Sequence, residues 1–124
     1  MATEDLDALA HAAFRTIPGE LAAHVTDVVI RIEEFPDDEL CRDMGLASPY
    51  DLLGLYHGVP LDSKSVSHTP ENVDMIFLYR RPILAYSDDT GEAVADVVRH
   101  VLIHEIGHHF GFSDADMERI EREG

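Results

Sequence analysis

Apolar residues recur at helical spacing at Leu6, Leu9, Ala10, Ala13, Phe14 and Ile17. The spacing predicts an amphipathic helix with Thr3 as cap, stopped by Pro18 and Gly19. The period then changes. Residues 25–32 read VTDVVIRI, β-branched with Val28, Ile30 and Ile32 on one face and Pro36 soon after, and predict a strand. DDELCRDMG predicts a short helix capped by Asp37 with Gly45 just past its end, and SPYD a further helix start with Ser48 as cap and Pro49 at the first helical position. Residues 54–60, GLYHGVP, hold strand formers interrupted by glycine and proline, a composition tolerated at a sheet edge. MIFLY, residues 75–79, is continuously apolar and predicts an inner strand covered on both faces. The polar DSKSVSHTPEN between them reads as loop.

Residues 92–110 follow the potential caps of SDDTGE, contain no proline, and have Gly107 as their one weak point. They suffice for about five helical turns. At about 100° per residue, Val94, Val97, Val98, Val101, His104, Glu105 and His108 share roughly a third of the circumference, with Ile103 and Phe110 nearly opposite. A helix apolar on most sides runs through the middle of a domain, where an unpaired imidazole or carboxylate costs roughly several kcal/mol. Something must compensate these groups.

Composition narrows what that can be. The chain has 124 residues, 45% of them hydrophobic, enough for one globular domain over residues 1–124. With 25 acidic against 9 basic residues the net charge is -16, and Arg80-Arg81 is the longest basic cluster, so a nucleic acid partner is not expected. Cys41, alone, forms no internal disulfide, and MATEDLDALAH has neither the basic nor the apolar region of a signal peptide. No apolar run approaches the roughly 18 residues of a membrane span. A cytoplasmic protein with no membrane association is expected.

A divalent metal answers the buried-polar problem. His104 and His108 stand at i and i+4, one turn apart on a single face, within reach of one ion at about 2.1 Å. Glu105 follows the first histidine but is rotated off the metal axis. It can therefore take a proton from a water whose pKa zinc lowers from roughly 16 to about 7, and pass it to a leaving amine. Gly111 permits a left-handed turn that lets Asp114 point back at the metal. Three protein ligands leave the fourth position open, the catalytic rather than the structural arrangement. Two imidazoles and a carboxylate suit zinc better than magnesium or calcium, and one Zn2+ per chain is expected. Given this composition, the chance expectation is roughly 0.05 for HExxH and on the order of 0.0003 once the glycine and aspartate are added, so the extended pattern carries the evidence.

HEIGHHFGFSD, residues 104–114, resembles the HExxHxxGxxD form of the metzincin-like zinc peptidases, in which aspartate replaces the third histidine. LLGLYHGVPL and IFLYRRPIL further resemble a small bacterial family of minimal zincin-like metallopeptidases, over residues 28–116. The resemblance implies an α+β minimal zincin-like fold, with a small mixed sheet packed on a central active-site helix. It implies His104, His108 and Asp114 as zinc ligands and Glu105 as general base. Secreted metzincins have a longer C-terminal subdomain and a downstream Met-turn; ten residues follow Asp114 here, and Met117 lies in a stretch, DADMERIERE, that reads as helix.

The expectation is a zinc-dependent hydrolase, a metalloprotease acting on an extended peptide or protein substrate that docks on Gly54, Leu55, Tyr56, His57 and Gly58. The alternative is a catalytically silent zinc-binding module that regulates or binds a partner; a zinc-dependent RNA hydrolase would call for a basic surface. Asp116 competes with Asp114 as third ligand but lacks the glycine spacing, and Ser113 with Asp116 reads as a helix cap. His109, about 100° around the helix from the ligand pair, reads as packing or support. His11, His24, His57, His68 and His100 read as lacking ligand spacing. The sequence does not indicate an oligomeric state.

Overall fold

The computed structural model describes residues 1–25, 27–58 and 74–123. The loop expected at residues 62–72, with His68, and residues 59–60 of the expected edge segment lie outside the described residues. The elements are α1 (Thr3–Phe14), α2 (Gly19–Ala22), β1 (Val29–Glu33), α3 (Asp38–Met44), a 3-10 turn (Pro49–Asp51), β2 (Gly54–His57), β3 (Met75–Tyr79), α4 (Arg80–Thr90), α5 (Val94–His109) and α6 (Asp114–Glu123).

The architecture is α+β. The three strands are ordered β1-β3-β2, with β3 parallel to β1 and antiparallel to β2. MIFLY is thus the inner strand and β2 an edge, as their compositions predict. Ile76 and Leu78 are fully buried, but Met75 and Phe77 on the opposite face are only half-buried. The expectation of cover on both faces holds at one end of the strand and is corrected at the other: Tyr79 is buried on the second face, while Phe77 lines an open cavity and Met75 is half-buried.

Helix α5 lies against the core face of the sheet. Val98, Leu102, Ile103 and Ile106 are fully buried, pointing in several directions around the helix, which is why its sequence is apolar on most sides. The buried cluster draws residues from Leu6 and Ala10 in α1 to Met117 and Ile120 in α6.

Local chemistry explains most boundaries. Asp37 caps α3, accepting from Leu40 N at 2.8 Å, and Gly45 ends it. Ser48 forms a capping box with Asp51, yet only the 3-10 turn follows, so SPYD caps a turn rather than a helix. Thr3 is the first helical residue of α1, with Ala2 at the cap position and no side-chain bond there. The strand expected from residue 25 begins at Val29, whose N–H bonds Asp74 O at 2.9 Å; Val25 is buried in the core from the turn after α2 instead. Helix α4 was not predicted by the periodicity. It follows β3 without an intervening turn, holds Pro82 in its first turn where proline is tolerated, and includes the serine, aspartates and threonine expected to cap the next helix.

Candidate metal centre and active site

The motif occupies the last turns of α5 and the turn after it. Phe112 N–H bonds Gly107 O at 2.9 Å and Gly111 N–H bonds His108 O at 3.3 Å, the paired bonds of a Schellman ending. Gly111 sits at φ 80°, a left-handed conformation that side chains disfavour. The reversal sends the chain back along α5, so that Asp114 Oδ1 comes 3.8 Å from His108 Nε2. Asp116 does not compete there: its N–H bonds Ser113 Oγ at 3.1 Å, the helix cap its spacing suggests, and its carboxylate lies 3.9 Å from Arg119.

His104 and His108 present their rings one turn apart, centroids 6.0 Å from each other at 80°. Burial, followed by the neighbouring His100, holds the His104 pKa down against the opposing pull of Glu121. The neutral imidazole that a metal requires is therefore favoured. His104 Nε2 is directed at Glu121 Oε1, 3.4 Å away.

Glu105 has a different environment. Its Oε1 accepts a hydrogen bond from Tyr56 N at 3.3 Å. Tyr79 N–H donates to Leu53 O at 2.9 Å, so by the alternation of an antiparallel ladder Leu55 and His57 bond to β3, while Gly54 and Tyr56 turn their backbone groups to the open edge. Glu105 is thus moored at the free edge of β2. Burial raises its pKa, with the Tyr56 bond and His108 opposing.

Tyr56 is fixed at both ends. Its ring stacks on His109 at 4.1 Å and its hydroxyl donates to Asp74 at 2.6 Å. His109 therefore packs against the edge strand, as its place on the helix suggests. A β-carbon at Gly54 would come 2.6 Å from Val101 Cγ1, so the edge lies directly against α5. Of the residues expected near a substrate, Gly54 and Tyr56 face α5, and Gly58 lies against the His109 ring. Leu55 and His57 face the other way, lining a cavity of about 460 Å³ with Glu33, Asp37, Phe77 and Tyr79. Any contact of the His57 side chain with a ligand in the α5 cleft is removed by this alternation. A second cavity, of about 310 Å³, opens beside His100, His104 and Glu105 and is walled by Leu52, Leu53, Val97 and Val101.

Met117 lies within α6, not in a turn. It is fully buried, its sulfur directly against α5 at Gly107, between the two motif histidines in sequence. The contact joins α6 to α5 within the motif.

Sequence reading missed two residues. His100 precedes His104 by four positions, the same one-turn spacing as His104 and His108, which corrects the expectation that it lacks ligand spacing. Glu121 is brought to it only by α6 folding back, with His100 Nδ1 at 2.7 Å from Oε1 and 3.0 Å from Oε2. Among the described residues, His100, His104 and Glu121 form a group whose ligand atoms all lie within 4.8 Å of one another.

A central helix bearing HExxH, moored by its glutamate to the open edge of a small mixed sheet and followed by a glycine turn and an aspartate, defines a zincin-type site. The family described as zincin-like metallopeptidase matches residues 25–123, and the chain belongs to it. No curated protein matches the chain. The family implies zinc, and the residues fit it. Two imidazoles and a carboxylate form a zinc donor set; His108 and Asp114 stand 3.8 Å apart, close to the roughly 3.3 Å between two ligands on one tetrahedral zinc, and the His104 ring, its centroid 6.0 Å from that of His108, has to move toward them.

Proposed function

We propose that this chain is a zinc-dependent peptidase that cleaves extended peptides, with His104, His108 and Asp114 holding one zinc ion and Glu105 as general base. The observation that carries the reading is the hydrogen bond from Tyr56 N to Glu105, which joins the buried carboxylate to the strand edge where a peptide would lie. When bound, zinc supplies a Lewis acid that polarises water and the scissile carbonyl. The remaining steps belong to the protein. A peptide adds to β2 through the outward backbone groups of Gly54 and Tyr56, which requires no particular side chain. That places its carbonyl over the motif histidines. Glu105 exchanges its Tyr56 partner for the attacking water, takes the proton, and delivers it to the departing amine. The cavity walled by Leu52, Leu53, Val97 and Val101 accepts an apolar side chain next to the cleaved bond.

The net charge of -16 argues against a nucleic acid substrate, and no helix among the described residues is long and apolar enough to cross a membrane. A catalytically silent zinc module is the competing reading, because the Tyr56 bond gives Glu105 a structural use as well. Proteome-wide cleavage profiling with the wild type against Glu105→Ala separates the two. New peptide termini should appear with the wild type alone; identical profiles would leave the silent module.

A further inference from the structure

We propose that His100, His104 and Glu121 form a second position for zinc, one helical turn upstream of the motif and sharing His104 with it. The donor set repeats that of the motif: two imidazoles one turn apart on α5 and one carboxylate from α6. The geometry is nearly closed already. The ligand atoms all lie within 4.8 Å of one another. His104 Nε2 stands 3.4 Å from Glu121 Oε1, close to the roughly 3.3 Å between ligands on a tetrahedral zinc. His100 Nδ1, at 2.7 Å, has to withdraw by a fraction of an ångström, and its side chain, 53% exposed, is free to do so. The two rings are stacked, 4.0 Å apart and 29° from parallel, so the exposed His100 ring has to turn for both in-plane lone pairs to meet one ion.

The third ligand is held in place independently of any ion. Arg99 Nη1 donates to Glu121 O at 2.8 Å and Arg99 Nε to Thr16 Oγ1 at 3.1 Å, tying the last turns of α6 to α5 and to the end of α1. His100 and His104 both line the cavity beside the motif, so an ion reaches them from the same opening as a substrate.

Because His104 presents one Nε2, the two positions exclude each other. Around the helix Glu105 is about 60° from His108 but about 140° from His100. Zinc held upstream takes its third ligand from Glu121 in place of Asp114 and gives up His108, the motif residue nearest Glu105 around the helix, which makes it a stored ion. This rests on the reading of His104 as a motif ligand, and the test keeps the two apart.

The full chain, stripped of metal, is titrated with Zn2+ and with Co2+ against a chromophoric chelator. His108→Ala and Asp114→Asn disable the motif set at side chains that are 58% and 93% exposed, so folding, checked by circular dichroism, should survive. Both variants should still bind about one ion per chain with reduced affinity. Adding His100→Ala or Glu121→Gln should weaken that residual binding by about tenfold or more. Residual binding that ignores both added changes, or no binding beyond that of His104→Ala, overturns the proposal. If instead His100→Ala alone abolishes binding while His108→Ala leaves it at wild-type strength, the upstream position stands and the motif reading falls.

Discussion

His104 stands between two sets of the same chemical groups, and the two are built differently. Upstream, His100 and Glu121 touch at 2.7 Å, and the backbone of Glu121 is tied down by Arg99. Downstream, His108 and Asp114 stand 3.8 Å apart with side chains 58% and 93% exposed. The upstream set arises where two helices pack, so its groups satisfy one another. The downstream set arises from one helix and the turn that ends it, so His108 and Asp114 approach without bonding and stay open to solvent. The buried carboxylate, Glu105, follows His104, which both sets share, and lines the cavity beside His100 and His104. Under the proposed reading, openness suits catalysis and mutual satisfaction suits holding.

Both sets depend on α6 being seated against α5, and the largest effect is expected there. Met117→Ala removes a fully buried side chain that abuts Gly107, and should cost about 2–5 kcal/mol, read from the denaturant midpoint. An unchanged midpoint would show that α6 is not what supports the motif. Next comes the turn that makes the downstream set alone. Gly111→Ala forces a side chain into the left-handed region at φ 80° and should cost about 1–2 kcal/mol, with weakened zinc affinity. Equal stability and affinity would mean that the turn does not position Asp114.

The smallest effect serves as a control remote from both sets. The hydrogen bond from Arg80 to Glu34, at 2.6 Å, holds the Glu34 carboxyl below its ordinary pKa, with Arg81 adding to it. A folded-state pKa that is depressed contributes stability above the ordinary carboxylate range and loses it as pH falls through the lowered value. The melting temperature of wild type should therefore exceed that of Glu34→Gln near neutrality by a small margin, and the gap should close in acid. A gap that widened in acid would contradict the pairing. Metal-dependent acid sensitivity, which follows imidazole protonation, is then read against this baseline.

The difference between the two sets also explains what was legible in the sequence. His104, Glu105, His108, Gly111 and Asp114 lie within eleven residues, and helical periodicity plus one glycine turn suffices to relate them. Glu121 is 21 positions from His100, and only the packing of α6 joins them. The inner and edge strands were legible because an unbroken apolar run and a glycine-broken one have different compositions. The parallel pairing of β1 with β3, by contrast, depends on a crossover that leaves no local trace. Helix α4 was hidden because Tyr79 passes directly into Arg80 with no turn residue, and its own Ser87, Asp88, Asp89 and Thr90 read as caps for the helix after it. Val25 misled the strand boundary because burial and strand pairing select the same β-branched residues.

The central claim is that the motif holds zinc for chemistry performed by Glu105. Its most direct test measures zinc content and peptide-library turnover side by side on the wild type, Glu105→Ala and His104→Ala. The account predicts about one zinc per chain in the first two, cleavage in the first alone, and neither stoichiometric zinc at the motif nor cleavage in the third. Full turnover by Glu105→Ala, or loss of zinc from it equal to that of His104→Ala, would contradict the assignment of Glu105 as the base.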